Sequence, residues 1–276
     1  MENLNTNEES FLTISKYIYE ITGMKLGKEK KYLIINRLMP LMEEFNIGDF
    51  QELYQKSRSN CSLEDKIIDN IFTHESFFFR DISCFELFRC HLVPQYLTRN
   101  AQKKSQTPLK ILSAGCSTGQ EAYSIAITLQ EHFPHSEFQI VGYDISKGCI
   151  LKAKKGEYTS LEIDRGLPPQ LKSKYFKRNG KNWKIIDPIR EKISFIRHNL
   201  MTPIRSKERF DIIFYRYVSA YLTEESRLLI LKNLLHTMNE NATVVLGVSE
   251  HPLGLKKNDE QQYPFYQSLS KTHVIN

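Results

Sequence analysis

The sequence predicts an α/β fold: a mostly parallel sheet with helices on both faces, preceded by an all-α unit and interrupted by a small antiparallel insert. Three observations carry this. Up to about residue 70 the apolar residues recur at helical spacing. Beyond residue 107 short β-branched or aromatic runs alternate with helical stretches, the order that builds a parallel sheet. Within that alternation one Asn-Gly pair lies between aromatic residues, a hairpin signal.

In chain order, Phe11, Ile14, Ile18 and Ile21 share a helical face, followed by Leu33, Arg37 and Leu41, and then by Ile67, Ile68 and Ile71. Gly23, Gly27, Pro40 and the Asn46-Ile47-Gly48-Asp49 stretch each favour a turn or a helix end, so this unit divides into several short helices. A polar linker is expected over residues 99–107. Residues 109–114 read as a buried strand and 121–133 as the helix after it; further strands are expected at 138–143, 193–196, 210–214 and 243–248, and a helix at 222–238. Between the second and third strands, Asn179-Gly180 flanked by Phe176 and Trp183 predicts a hairpin. The expected division is a helical domain at 1–75, a linker and connecting helix at 76–107, and an α/β domain at 108–276 that contains a β-subdomain at 158–192.

Composition sets the outer bounds. The 276 residues are 41% hydrophobic and 25% charged, which is globular and neither disordered nor fibrous. The chain begins polar (Met1, Glu2, Asn3) and its first thirty residues hold no unbroken apolar run, so neither a signal peptide nor a membrane span is expected, and a cytoplasmic location is. Five cysteines, Cys61, Cys84, Cys90, Cys116 and Cys149, show no zinc-type pairing, so reduced thiols are expected, with no metal and no disulfide. The net charge of +6 suits nucleic acid, a membrane surface or an acidic protein alike.

The first strand runs into Gly115-Cys116-Ser117-Thr118-Gly119 and then a helix, which lets backbone pass close to a ligand. The three-glycine spacing of a dinucleotide loop is missing, and that disfavours a pyrophosphate. Asp144 ends the second strand, where a carboxylate can accept both hydroxyl hydrogens of a ribose. Together these residues suit a nucleoside ligand without a diphosphate.

At this point a family resemblance becomes specific. The run from Ala114 through Gly119, Gln120, Glu121 and Ala122 to Ala126 resembles the cofactor loop of the chemotaxis-receptor (CheR-type) protein-glutamate O-methyltransferases. Thr73-His74-Glu75-Ser76-Phe77-Phe78-Phe79-Arg80-Asp81 resembles that family's Thr-x-Asn-Glu-Thr-x-Phe-Phe-Arg segment. His198-Asn199-Leu200, Phe210-Asp211-Ile212-Ile213-Phe214-Tyr215-Arg216-Tyr217-Val218 with Tyr221, and Gly247-Val248-Ser249-Glu250 follow in the family's order, and Gly23 to Leu26 and Arg165 to Pro168 extend the likeness over nearly the whole chain.

The resemblance implies an N-terminal all-α domain, a class I S-adenosylmethionine-dependent methyltransferase domain (Rossmann-like) and an inserted β-subdomain able to dock receptor tails. It implies S-adenosylmethionine as cofactor, S-adenosylhomocysteine as product, and glutamates of methyl-accepting chemotaxis receptors as substrate; no nucleic-acid partner, no membrane insertion and a monomer are expected beside it. By the match, His74, Ser76, Arg80, Gly115, Glu121, Asp144, Asn199, Leu200, Tyr217 and Val218 hold the cofactor, and Arg80 and Tyr221 face the reacting end. Three positions depart from the family pattern: His74 stands for Asn, Ser76 for Thr, and Tyr217 for the Asn of Arg-Asn-Val. They imply a reshaped pocket.

The implied chemistry suits these residue types. A glutamate acceptor with an ordinary pKa of about 4.3 is already ionised at neutral pH, so no general base is needed. The enzyme must instead align carboxylate, methyl and sulfur and exclude water, and the planar fork of Arg80 can hold a carboxylate, either that of the substrate or the methionine carboxylate of the cofactor. Two other readings are a catalytically weak adaptor that binds cofactor and receptor, and a nucleic-acid methyltransferase. The second lacks both an Asn-Pro-Pro-Tyr-like segment and an aromatic-studded basic stripe. Finally, Lys30, Ile34 and Arg37 stand at i, i+4 and i+7, with Lys28 and Lys31 nearby, so Lys30 and Arg37 are expected to share a helical face that meets the acidic surface of a receptor.

Overall fold

The apolar periodicity of the first part folds into four helices around one core. They are α1 (Glu8–Thr22), α2 (Lys31–Glu44), α3 (Phe50–Ser59) and α4 (Cys61–Ile71), and Phe11, Ile14, Ile18, Leu38, Phe50 and Ile67 meet between them. A computed structural model describes residues 8–102, 107–205, 207–248 and 250, with two short strands beyond. Side-chain caps fix the starts of α3 and α4: Asp49 accepts from Glu52 N at 2.8 Å, and Asn60 accepts from Ser62 N and Leu63 N.

Two expectations about α2 are corrected. The helix does not stop at Pro40 but continues through it to Glu44. Pro40 and Asn36, whose carbonyl loses its helical donor, are both exposed, so water can satisfy that group. Nor do Lys30, Ile34 and Arg37 form a solvent face. The helix begins only at Lys31, Lys30 belongs to a preceding 3₁₀ turn, and Ile34 is fully buried. Arg37 crosses to α4, donating to the Ile71 carbonyl and, at 2.6 Å, to Thr73 Oγ1. Its guanidinium is thus used to fasten the chain that leads out of the helical unit.

Helix α5 (Ile82–Leu87), a π-helical turn at Phe88–Leu92 and α6 (Val93–Gln102) lead to the sheet. Of the linker expected at 99–107, residues 99–102 are the last part of α6, and 103–106 lie outside the described residues. The α/β part then runs β1 (Leu109–Ala114), α7 (Gln120–His132), β2 (Phe138–Asp144), α8 (Lys147–Lys155), β3 (Glu157–Tyr158), α9 (Ser160–Asp164), α10 (Pro169–Tyr175), β4 (Phe176–Asn179), β5 (Asn182–Ile185), α11 (Asp187–Arg190), β6 (Ile193–Arg197), β7 (Phe210–Phe214), α12 (Glu224–Leu235), β8 (Met238–Val245), β9 (Lys256–Lys257) and β10 (Phe265–Gln267).

The main sheet has the order β6-β2-β1-β7-β8-β10-β9, and every pairing from β6 to β8 is parallel. Strand β1 is buried on both faces. Ile111 packs with Tyr123, Ile140 and Phe195 on one side, while Leu112 packs with Val141, Ile213 and Leu234 on the other. The chain leaves β1 toward β2 and β6 and later returns to β7 on its opposite side. The carboxyl ends of β1, β2 and β7 therefore face the crevice where such sheets bind ligands.

Strand β8 begins five residues earlier than expected and ends at Val245, short of Gly247 and Val248. Gly247 leaves the ladder because its N–H donates to the Glu250 carboxylate at 3.0 Å. The insert forms a separate antiparallel sheet, β3-β5-β4, and its β4–β5 turn places Gly180 at φ +58°.

Candidate functional site

The turn after β1 is shaped by glycine. Gly115 lies at φ +86°, and a side chain there would collide with Val218 Cγ2, so only glycine lets the β1 turn approach the loop after β7. At the end of β2, Asp144 is buried; its Oδ2 accepts from Ser117 N at 2.8 Å and its Oδ1 from Ser146 N at 2.9 Å. Burial raises the pKa of this carboxyl, and the two amides oppose the rise. Each oxygen keeps accepting capacity beyond its one backbone bond.

Beside Asp144 lies a buried ionic group. Glu121 accepts from Ser113 Oγ at 2.7 Å and from Arg216 Nη1 at 2.9 Å. Arg216 Nη2 reaches Asp81 Oδ2 at 2.8 Å and the Arg80 carbonyl at 2.6 Å. Burial works against the Arg216 charge, but Glu121 and Asp81 together raise its pKa above the ordinary arginine value. The guanidinium therefore ties the α7 start, the Arg80–Asp81 corner and the β7 loop into one wall.

The β7 loop is held from the other side by Glu250. One of its carboxylate oxygens accepts from Tyr217 N at 2.7 Å and Gly247 N at 3.0 Å, the other from Ser219 N at 3.2 Å and Ser219 Oγ at 2.5 Å. The Tyr217 hydroxyl donates to Asp81 Oδ2. Burial and then this contact push the hydroxyl's pKa up to about 12, so it keeps its proton throughout the neutral range. Arg80 donates from Nη1 to the Glu75 carbonyl at 3.0 Å, and its guanidinium carbon lies 3.7 Å from the Tyr217 ring centroid.

The rest of the wall comes from both parts of the chain. His74 Nε2 is 3.0 Å from the Asp69 carbonyl. The Asn199 carboxamide donates to the Ile21 carbonyl at 2.9 Å and accepts from Met201 N at 3.0 Å, so it holds the end of α1 against the sheet. Tyr221 is 41% exposed, at the mouth. One cleft gathers His74, Ser76, Arg80, Gly115, Glu121, Asp144, Asn199, Leu200, Tyr217, Val218 and Tyr221, all assigned from the sequence. Lys30 and Arg37 do not line it.

Arg216, Asp81 and Glu250 lie inside the segments that carry the family resemblance, but nothing local in the sequence gives them roles. A charged Arg216 directly after the run Ile212-Ile213-Phe214-Tyr215 is the available signal, since a charge there must find partners. Thr22 and Phe72, from the helical part, also line the cleft.

The donor set fits a nucleoside that carries a charged amino-acid arm. The cleft offers a buried carboxylate at the β2 end, a glycine turn with no room for a side chain, apolar walls at Phe72, Leu200 and Val218, and a guanidinium toward the mouth. Fold and cleft define an S-adenosylmethionine-dependent methyltransferase. Residues 9–71 match the CheR methyltransferase all-alpha domain and residues 74–267 the CheR methyltransferase SAM binding domain. The chain belongs to the CheR methyltransferase family. It is 32% identical over 262 residues to chemotaxis protein methyltransferase Cher2 of Pseudomonas putida, covering 91% of this chain and 94% of that protein. Chemotaxis protein methyltransferase 1 of Pseudomonas aeruginosa is 32% identical over 243 residues, covering 85% and 87%. The chemotaxis protein methyltransferase of Borreliella burgdorferi is 29% identical over 263 residues, covering 92% of each chain. Among the described residues no helix is long and apolar enough to cross a membrane.

Proposed function

We propose that this enzyme converts glutamate side chains of methyl-accepting chemotaxis receptors into methyl esters, acting in the cytoplasm as a monomer. The observation that carries the reading is that half-buried Arg80, exposed Tyr221 and buried Asp144 line one cleft, in a chain related along its length to chemotaxis methyltransferases. The bound S-adenosylmethionine supplies an electrophilic methyl group, and the chain's own residues do the rest. Asp144 accepts the ribose hydroxyls with the capacity left over from its two amide bonds. Leu200 and Asn199 border the adenine, Asn199 by its position in the wall, since its carboxamide is already engaged. Ser76, His74 and Val218 complete the walls around the cofactor.

Glu121 and Tyr217 act indirectly. Both Glu121 oxygens are bonded within the chain, so it shapes the cleft through Arg216. Arg80 presents its N–H edge to the incoming carboxylate, whose nucleophilic oxygen arrives ionised and needs no base. Tyr221 stands at the mouth, where it limits water around the reacting groups. Exposed Lys30 contributes rim charge to the receptor encounter.

The reading is tested with a receptor cytoplasmic fragment and the same fragment with its acceptor glutamates replaced by alanine. Methyl label should enter the first only; equal labelling of both would overturn it. Within the cleft, Asp144→Ala is expected to weaken S-adenosylhomocysteine binding by about ten- to a hundredfold, the loss of hydrogen bonds to a charged acceptor. Calorimetric titration measures this, and an unchanged affinity would remove Asp144 from the ribose.

A further inference from the structure

Tyr217 adopts a conformation that its residue type disfavours. Its φ is +60°, in the left-handed region where tyrosine carries strain and asparagine enters readily. Asparagine is the residue at this place in the family pattern quoted above, so tyrosine keeps the strained backbone without the side chain that eases it. Such a residue persists only where its surroundings over-determine it.

Those surroundings are visible. The Tyr217 N–H is held by Glu250 at 2.7 Å, and its hydroxyl donates to Asp81, which is itself held by Arg216 at 2.8 Å. Room for the ring is left by Gly247, where a Cβ would stand 2.9 Å from ring atoms Cε1 and Cζ. The ring's face, fixed at three points, lies against the Arg80 guanidinium at 3.7 Å, while Phe77 is 5.4 Å from the same group. A guanidinium stacked by its face keeps its N–H groups in the plane, and with Nη1 donating to the Glu75 carbonyl the Nε and Nη2 edge remains to grip a carboxylate in two parallel bonds.

We infer that Tyr217 is a positioning residue that stacks on Arg80 and fixes the guanidinium for the acceptor carboxylate. The inference rests on the reading that Arg80 meets a carboxylate in this cleft. It makes the Asn-to-Tyr departure an added element of the site and not a defect in it.

The test compares Tyr217→Phe, which keeps the ring, with Tyr217→Leu, which removes the π face, each with and without Arg80→Ala. The phenylalanine variant should keep kcat within about threefold of the parent. The leucine variant should lose about tenfold in kcat, the size of a desolvated cation–π contact, with little change in S-adenosylhomocysteine affinity. Most of that loss should vanish in the Arg80→Ala background, because the ring's near contact is with Arg80 at 3.7 Å while Arg216 lies farther, 5.4 Å from the ring centroid. A readout independent of turnover is the Arg80 Nε–H resonance. It should be shifted by the ring current in the parent and the phenylalanine variant, and return to the ordinary arginine position with leucine. Parental kcat in Tyr217→Leu, losses that add with Arg80→Ala, or an unshifted resonance in the parent would each overturn the inference. A shifted resonance in a parent that methylates no receptor would sink the proposed function and leave the stacking role standing.

Discussion

Replacing Arg216 with methionine is expected to destabilise the folded chain by about 3 kcal/mol, the lower end of the cost of breaking a buried ion pair. The Arg216 side chain is 1% exposed, and its partners Glu121 and Asp81 are 15% and 23% exposed. Methionine fills the length of the arginine but leaves the Glu121 carboxylate with only the Ser113 hydroxyl, that of Asp81 with only the Tyr217 hydroxyl, and takes the guanidinium donor from the Arg80 carbonyl. The lower end applies because Asp81 and Glu121 keep some water. Denaturant midpoints with an unchanged m-value measure the loss. Adding Glu121→Gln to the methionine variant should recover part of the stability by removing one stranded charge. A loss under about 1 kcal/mol in the single variant would mean that the wall does not depend on this guanidinium.

Arg80→Ala is expected to lower methyl transfer by about a hundredfold, as for the loss of a charge-assisted pair of hydrogen bonds to a carboxylate. Stability should change far less, since Arg80 is only half-buried and the hydrogen bond its side chain loses is the one to the Glu75 carbonyl. Lysine at this position should not rescue turnover, because a point charge offers neither the planar fork nor a face that matches the Tyr217 ring. Steady-state kinetics on a receptor fragment, paired with thermal unfolding of the same preparations, separates the two effects. Near-parental turnover in the lysine variant would contradict the carboxylate clamp.

How much of this was legible in the sequence depended on whether a feature is local. The strands at β1, β2 and β7 are short, strongly apolar runs, the first two closed by a glycine turn and by an acidic end, and periodicity finds such runs. The start of β8 carries no such signal. Its first residues, Met238-Asn239-Glu240-Asn241, are mostly polar, and they pair with β7 across an irregular register that only the assembled sheet reveals. Pro40 read as a helix end because its missing donor is local information, whereas the exposure that makes it tolerable is not.

The same distinction governs the site. Asp144 and Gly115 could be placed from the strand–turn–helix context alone, and the remaining cleft residues came with the family resemblance. Arg216 and Glu121 are partners across 95 positions of sequence, and Glu250 reaches back 33 positions to Tyr217, so no spacing rule exposes either bond. Arg37 failed in the opposite direction: its spacing from Lys30 suggested a shared face, but its guanidinium turns inward to the end of α4.

The central claim is that this chain transfers a methyl group from S-adenosylmethionine to receptor carboxylates. The measurement that tests it most directly is the chemical stability of the label after incubation of the enzyme, methyl-labelled cofactor and a receptor cytoplasmic fragment. A glutamate methyl ester hydrolyses in mild alkali, so the account predicts label in the receptor band that alkali releases as volatile methanol. Alkali-stable label, or no receptor label from an enzyme that binds S-adenosylhomocysteine, would contradict it.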